Sequence, residues 1–93
     1  MFRAEIRWLA NGPVLTMEGR LVAGWAEQAK LLVTDEVVPK PLVVDLTELS
    51  YIDGAGEQLL KWLASLGAKF LAGNVYTLGV CESLSLPLLE VVG

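Results

Sequence analysis

The chain has 93 residues, with 7 lysine and arginine side chains, 11 aspartate and glutamate side chains and no histidine. This length suits one domain with one modest core, so we expect a single domain over residues 1–93. The net charge is −4 and the basic residues are scattered, so no cluster could neutralise a run of phosphates and nucleic-acid binding is not expected. Without histidine, this chain cannot form Ser-His or Cys-His nucleophile pairs or histidine metal sites.

Apolar residues make up 54% of the chain, which predicts a packed core and an exposed apolar patch that binds a partner. The lone Cys81 allows no internal disulfide, which fits a reducing compartment. The longest uncharged stretch, residues 70–81, is too short and too polar to span a bilayer. We therefore expect a cytoplasmic protein without direct membrane insertion, without a cofactor or a metal such as zinc, and either monomeric or weakly dimeric.

The first two predicted elements form a hairpin. Residues 2–9 alternate between apolar and charged side chains, which is typical of a half-buried strand. Residues 11–13, Asn-Gly-Pro, predict a turn. Residues 14–18 then predict a second strand, paired with the first.

The next segment changes period. Over residues 20–34 the apolar side chains recur at helical spacing, which predicts the first helix; they are Leu21, Val22, Trp25, Ala29, Leu32 and Val33. Pro39 and Pro41 then restrict the backbone that follows this helix.

The middle of the chain predicts a strand, a loop and a strong helix. Residues 42–46 are nearly all apolar, as in a parallel central strand that is buried on both faces. We expect an irregular loop over residues 47–53, with Asp53 as the cap of the second helix. Gly67 is a natural stop for that helix, whose core face carries Leu59, Leu60, Trp62, Leu63 and Leu66.

The last third predicts a short strand over residues 68–72 and a weaker helix from its cap Asn74 to about Leu84. Residues 87–92 could add a last edge strand, where a leading proline is tolerated. The element order β-β-α-β-α-β-α-(β) predicts an α/β fold, with a mixed sheet of four to five strands packed against helices.

The segment Asp53-Gly54-Ala55-Gly56 joins the predicted loop to the second helix. Its small residues would let a backbone or an anion approach the helix start, although a glycine-rich helix start with an aspartate cap has the same sequence. Asp45 and Asp53 could form a carboxylate pair if they lie close together. Separate local roles are favoured, because aspartate commonly accepts hydrogen bonds from nearby loop amides, as expected for Asp45, or caps a helix, as expected for Asp53.

Four further side chains are expected in the core. Cys81 lies among apolar helix residues with no cation nearby in sequence, which predicts a buried, unreactive thiol. Trp8, Trp25 and Trp62 all fall on apolar faces, which predicts core packing. One of the three could instead be a partly exposed interface anchor.

The stretch from Val43 to Leu60 resembles the STAS domain, the family of sulphate transporters and anti-sigma factor antagonists. The family pattern is an apolar strand ending in D-L-S, a short loop, and I-D-S-[ST/A]-G at the start of a helix. Residues 45–47 (Asp-Leu-Thr) and 52–56 (Ile-Asp-Gly-Ala-Gly) match this pattern at the family spacing. Residues 18–21 and 67–73 resemble two further family segments, so the likeness covers nearly the whole chain.

The resemblance implies a STAS-like α/β fold and a non-catalytic interaction module whose docking face is the loop and helix start. The implied partner-binding residues are Tyr51, Asp53, Gly54, Ala55, Gly56, Glu57 and Gln58. In the phosphoregulated members, a serine or threonine in the two positions after the aspartate is phosphorylated by an anti-sigma kinase, which blocks binding. Gly54 and Ala55 occupy those positions and have no hydroxyl, so the ordinary phosphoswitch is not expected.

Three functions follow as alternatives. The first is constitutive binding of a regulatory protein, such as an anti-sigma factor or a kinase. The second is a small subunit that docks on the ATPase of an ABC transporter. The third, and least favoured, is a small-ligand or anion binder that uses Asp45, Asp53 and Glu57 beside the amides of residues 54–56.

Overall fold

A computed structural model of the chain describes residues 1–10, 12–35 and 42–89. Within these ranges the strands are β1 (Phe2–Leu9), β2 (Gly12–Leu21), β3 (Val43–Ile52) and β4 (Lys69–Leu71), and the helices are α1 (Ala23–Asp35), α2 (Gly54–Ser65) and α3 (Val75–Ser83).

The strands form a mixed sheet in the order β1-β2-β3-β4. β1 is antiparallel to β2, while the β2–β3 and β3–β4 pairs are parallel. The α/β fold, the element order and the mixed sheet predicted from the sequence are thereby confirmed. No helix in the described ranges is long and apolar enough to cross a membrane.

One apolar cluster joins the sheet to the helices. Alternate residues are buried in β2 as far as Met17 and in β3 as far as Leu46, because successive side chains of a strand point to opposite faces. The cluster takes its largest fully buried apolar side chains from all three parallel strands and from α2: Leu15, Met17, Leu21, Leu46, Leu49, Leu60, Leu63 and Phe70. This packing fixes the helices relative to the carboxyl end of β3, where the candidate site lies.

β2 is longer than the sequence predicts at both ends. Gly12 and Pro13, expected in a turn, pair with β1. Leu21, expected in the first helix, is the last residue of β2 and is fully buried. α1 therefore begins at Ala23, and Leu21 packs into the core from the strand instead of from the helix.

The expected loop over residues 47–53 is wrong as far as Ile52, because β3 continues to that residue. Its pairing with β2 shifts register between Thr16 and Glu18 and again between Gly19 and Arg20. At each shift β3 contains one more residue than β2, which is the signature of a bulge. The buried residues therefore recur three apart, at Leu46, Leu49 and Ile52, and the alternation that marks a strand is lost.

The central strand is buried on one face only. Val43 and Asp45 are half-buried, whereas Val44 and Leu46 are fully buried. The expectation of a strand buried on both faces is therefore wrong for β3, although its predicted central, parallel position is confirmed.

Of the predicted last strand, the described residues 87–89 form one parallel bridge, between Leu88 and Phe70. Pro87 O accepts from Phe70 N at 2.9 Å, and Leu89 N donates to Phe70 O at 2.8 Å. The remainder of that predicted strand, residues 90–92, lies outside the described residues, as do Asn11, Pro39 and Pro41.

Candidate docking surface

The candidate site lies where β3 ends and α2 begins, and we call residues 51–58 the junction surface. The Asp53 carboxylate is at its centre. Its Oδ1 accepts from Gly56 N at 2.8 Å, which confirms the predicted cap of α2. Its Oδ2 accepts from Ala23 N at 3.1 Å, at the first residue of α1. One carboxylate thus caps two helices, and the second bond joins residues 30 apart in sequence.

The main chain of Asp53 strengthens this connection. Asp53 N donates to Leu21 O at 3.1 Å, and Asp53 O accepts from Glu57 N at 2.9 Å. The end of β2, the start of α1 and the start of α2 are therefore held together by one residue.

Gly56 provides the close approach that this arrangement needs. A Cβ atom at this position would lie 2.6 Å from Leu21 O and 2.9 Å from Ile52 Cγ2. Gly56 is buried, so within residues 51–58 it supports the exposed residues from beneath. Its direct contact with a partner stays a prediction.

Gly54 and Ala55, in contrast, are exposed. A Cβ atom at Gly54 would meet no atom within 4 Å beyond its chain neighbours and the backbone of its own helix, and the Gly54 backbone is not in the left-handed region. The first two N–H groups of a helix have no acceptor within that helix, and the Asp53 side chain is bonded to Gly56 and Ala23. The helix start therefore exposes two small residues, whose N–H groups have no acceptor among the described residues.

A groove between α1 and α2 extends the junction surface. It has a volume of about 310 Å³, and its lining includes Ala55 and Gln58. On its far side the Lys30 ammonium lies 5.1 Å from the centroid of the Trp62 ring, which is within cation–π range. The groove could accept a partner side chain beside the bare helix start.

Two tyrosines lie at the strand end of the junction surface, Tyr51 within it and Tyr76 beside it. Tyr51 is 44% exposed, and the Arg20 guanidinium lies 5.2 Å from its ring centroid. The Tyr76 hydroxyl, from α3, accepts from Ile52 N at 2.8 Å and is 3.3 Å from Ile52 O, to which it can donate. Sequence reasoning missed Arg20 and Tyr76, since both act across the fold and neither belongs to a local motif.

The two aspartates considered as a pair do not meet. Asp45 lies near the start of β3 and Asp53 follows its end. Asp45 Oδ1 accepts from Thr47 N at 2.9 Å and from Thr47 Oγ1 at 2.6 Å. Its role is local, as expected, but the amide that it binds belongs to β3 and not to a loop. No group of three or more carboxylates or thiols that could hold a metal occurs in the described part of the chain.

Burial is confirmed for Cys81, which is fully buried. Desolvation raises the pKa of its thiol, and the charge of Glu82 raises it further.

The tryptophans differ from the expected core packing. Trp8 is exposed, and Trp25 stacks on Phe2 at a centroid distance of 5.9 Å while remaining partly exposed. Trp62 is half-buried against the core, as the sequence indicates.

No family model and no curated protein matches this sequence. The class that the structure defines is a mixed α/β domain with a four-stranded sheet and three helices in the described residues. A solved structure with the same fold is that of the anti-sigma factor antagonist SpoIIAA in its unphosphorylated form, with a TM-score of 0.66. The two chains share 12% identity, and the match covers 97% of this chain and 90% of SpoIIAA. The comparison thus establishes a shared fold.

Proposed function

We propose that this protein is a non-catalytic interaction module that binds a regulatory protein through the junction surface. The observation that carries the proposal is the exposed, bare start of α2 at Gly54 and Ala55, held in place by the double cap of Asp53. The shared fold with an anti-sigma factor antagonist supports a protein as the ligand. An anti-sigma factor or a related kinase is the partner class that this likeness favours.

The chemistry of the surface suits a close main-chain contact. The N–H groups at a helix start attract carbonyl or carboxylate oxygens, and the helix dipole favours negative charge there. Small residues at positions 54 and 55 leave room for such an oxygen. A partner loop with an acidic or carbonyl group could therefore dock directly on the backbone, with an apolar side chain in the adjacent groove.

Binding is proposed to be constitutive. Neither Gly54 nor Ala55 has a hydroxyl that a kinase could phosphorylate. Glu57 is half-buried in the first turn of α2, where a negative charge stabilises the helix, and we assign it no phosphate-mimicking role. The surface would then remain in its binding form whether or not ATP is present.

The test begins by capturing a partner from the native host with the wild-type chain and identifying it by mass spectrometry. Its affinity is then measured for the wild type, for Ala55→Glu and for the control Lys61→Gln. Lys61 is exposed on the same helix, and its replacement changes the net charge by the same amount.

We expect Ala55→Glu to weaken binding by at least about 30-fold, because an unpaired charge at an interface typically costs about 2–5 kcal/mol. Lys61→Gln should bind as the wild type does. Equal affinities for all three chains would show that the partner does not bind at the junction surface. ATP-dependent phosphate on the wild-type chain, with loss of binding, would contradict constitutive docking. If the captured partner is a transporter ATPase, the proposal of a regulatory partner is wrong, and this chain is instead a transporter subunit.

A further inference from the structure

A second surface, at the outer edge of β1, is not part of the junction surface. Within the described residues β1 and β4 are the two edge strands of the sheet. β4 has only three residues, and residues 87–89 cover its outer edge by hydrogen bonds to Phe70. β1 has eight residues, contains no proline and pairs with β2 in an unbroken register. It lacks the proline and bulge that commonly protect edge strands from pairing with another chain.

The hydrogen-bonding groups that face outward can be identified from one contact. Met1 O accepts from Arg20 N at 3.2 Å, which makes these opposed residues a hydrogen-bonded pair. Bonded and non-bonded pairs alternate along an antiparallel ladder. The odd-numbered residues of β1 therefore bond to β2, and the even-numbered residues direct their N–H and C=O groups to the open edge. Pro13 agrees with this assignment, because it has no N–H and lies opposite an even-numbered residue, Trp8.

We propose that β1 pairs antiparallel with β1 of a second copy of this chain, in the register that places Ile6 opposite Ile6. The outward groups of the two strands then face each other, and two four-stranded sheets join into one. Glu5 of each copy lies opposite Arg7 of the other, in a non-bonded pair where side chains are closest. Ala4 lies opposite Trp8, whose side chain is 55% exposed in the single chain.

Charge and burial select this register over its neighbours. Centring the pair on Glu5 would place Glu5 opposite Glu5 and Arg3 opposite Arg7, and like charges directly opposite each other are destabilising. Centring it on Ala4 would leave Trp8 beyond the paired region. In the single chain the Arg7–Glu5 ion pair, at 3.0 Å, is exposed and local, so exchanging it for a pair between copies costs little.

This dimer is independent of the proposed function. Phe2, at one end of β1, pairs with Gly19 at the same end of the sheet as the junction surface, but β2 lies between β1 and β3. The outer edge of β1, where the second copy pairs, therefore faces away from the strand that leads into the junction surface. Both junction surfaces would therefore remain open in the dimer. Dimerisation can be measured in a variant that has lost partner binding, and partner binding can be measured in a variant that has lost dimerisation.

The test is sedimentation equilibrium of the full chain from about 1 µM to about 1 mM, a range suited to a small, weak interface. The variants are Glu5→Arg and Arg7→Glu, alone, mixed in equal amounts, and combined in one chain. Each single variant places like charges opposite each other, whereas the mixture and the double variant restore opposite charges. Thermal melts of each protein confirm that it is folded.

We expect a wild-type dimer, dimerisation about tenfold weaker or more in each single variant, and recovery in both the mixture and the double variant. Arg3→Glu, which lies opposite Leu9 in this register, should dimerise nearly as the wild type does. A wild type that remains monomeric at about 1 mM would overturn the proposal. A dimer that is unaffected by the single variants, or that the mixture fails to restore, would equally overturn it.

Discussion

The starts of α2 and α3 use the same type of cap but connect to the fold in different ways. Both follow a strand, and in both an Asp or Asn side chain accepts from the N–H three residues later. At α3, Asn74 and Thr77 bond each other reciprocally in a capping box. At α2, the Asp53 carboxylate uses its second oxygen to hold Ala23, in another helix.

This difference separates a cap that starts a helix from a cap that positions one. The capping box of α3 is closed within four residues, and the next side chain, Val75, is 89% exposed. The α2 cap ties the helix start to β2 and α1, and the first two residues of the helix, Gly54 and Ala55, are exposed. If a partner docks there as we propose, a helix start held by distant segments needs little further ordering on binding.

The largest effect should come from the buried glycine of the junction. Gly56→Val would place atoms against Leu21 O and Ile52, and overpacking of this kind costs about 3 kcal/mol in the free energy of unfolding. Gly54→Ala, in open space with helical backbone, should change stability by less than about 1 kcal/mol. Urea denaturation measures both, and similar effects would mean that α2 does not approach β2 as described.

The two caps should differ when they are removed. Asp53→Ala loses acceptors for two helices and should cost about 2–3 kcal/mol, whereas Asn74→Ala should cost about 1 kcal/mol. Asp53→Asn retains only one side-chain acceptor oxygen and should fall between the two. Denaturation curves for the three variants decide the order, and equal losses at the two caps would mean that the Ala23 bond contributes nothing.

The smallest effect concerns the contact between α3 and the end of β3. Tyr76→Phe removes the hydroxyl that bonds Ile52 and should cost about 1 kcal/mol, with faster amide hydrogen exchange at Ile52. Tyr51→Phe is the matched control, because no hydrogen bond involves the Tyr51 hydroxyl within the described ranges. If both variants exchange at the same rate at Ile52, α3 does not hold this end of the strand.

Local features of this fold could be predicted from the sequence, and contacts across the fold could not. The alternation in β1 and the caps Asp53 and Asn74 depend on neighbours within a few residues, so their patterns are visible in the chain. The sequence predicts a loop over residues 47–53, whereas β3 runs on to Ile52, because two bulges hide the alternation of this strand.

The same limit applies to the candidate site. The sequence places Gly54 and Ala55 at a helix start, and the structure agrees. It gives no sign that Asp53 also caps α1, or that Tyr76 bonds Ile52, because those partners lie 30 and 24 residues away. Nor does it separate the exposed Gly54 from the buried Gly56, since that distinction depends on where β2 ends.

Docking of a partner at the start of α2 can be observed residue by residue through chemical-shift mapping. The ¹⁵N-labelled chain is titrated with the captured partner, with and without ATP. We expect the largest shifts at Gly54, Ala55 and Gln58, with the same pattern in both conditions. Shifts centred on the exposed residues of α3, such as Val75, or a pattern that ATP abolishes, would contradict this expectation.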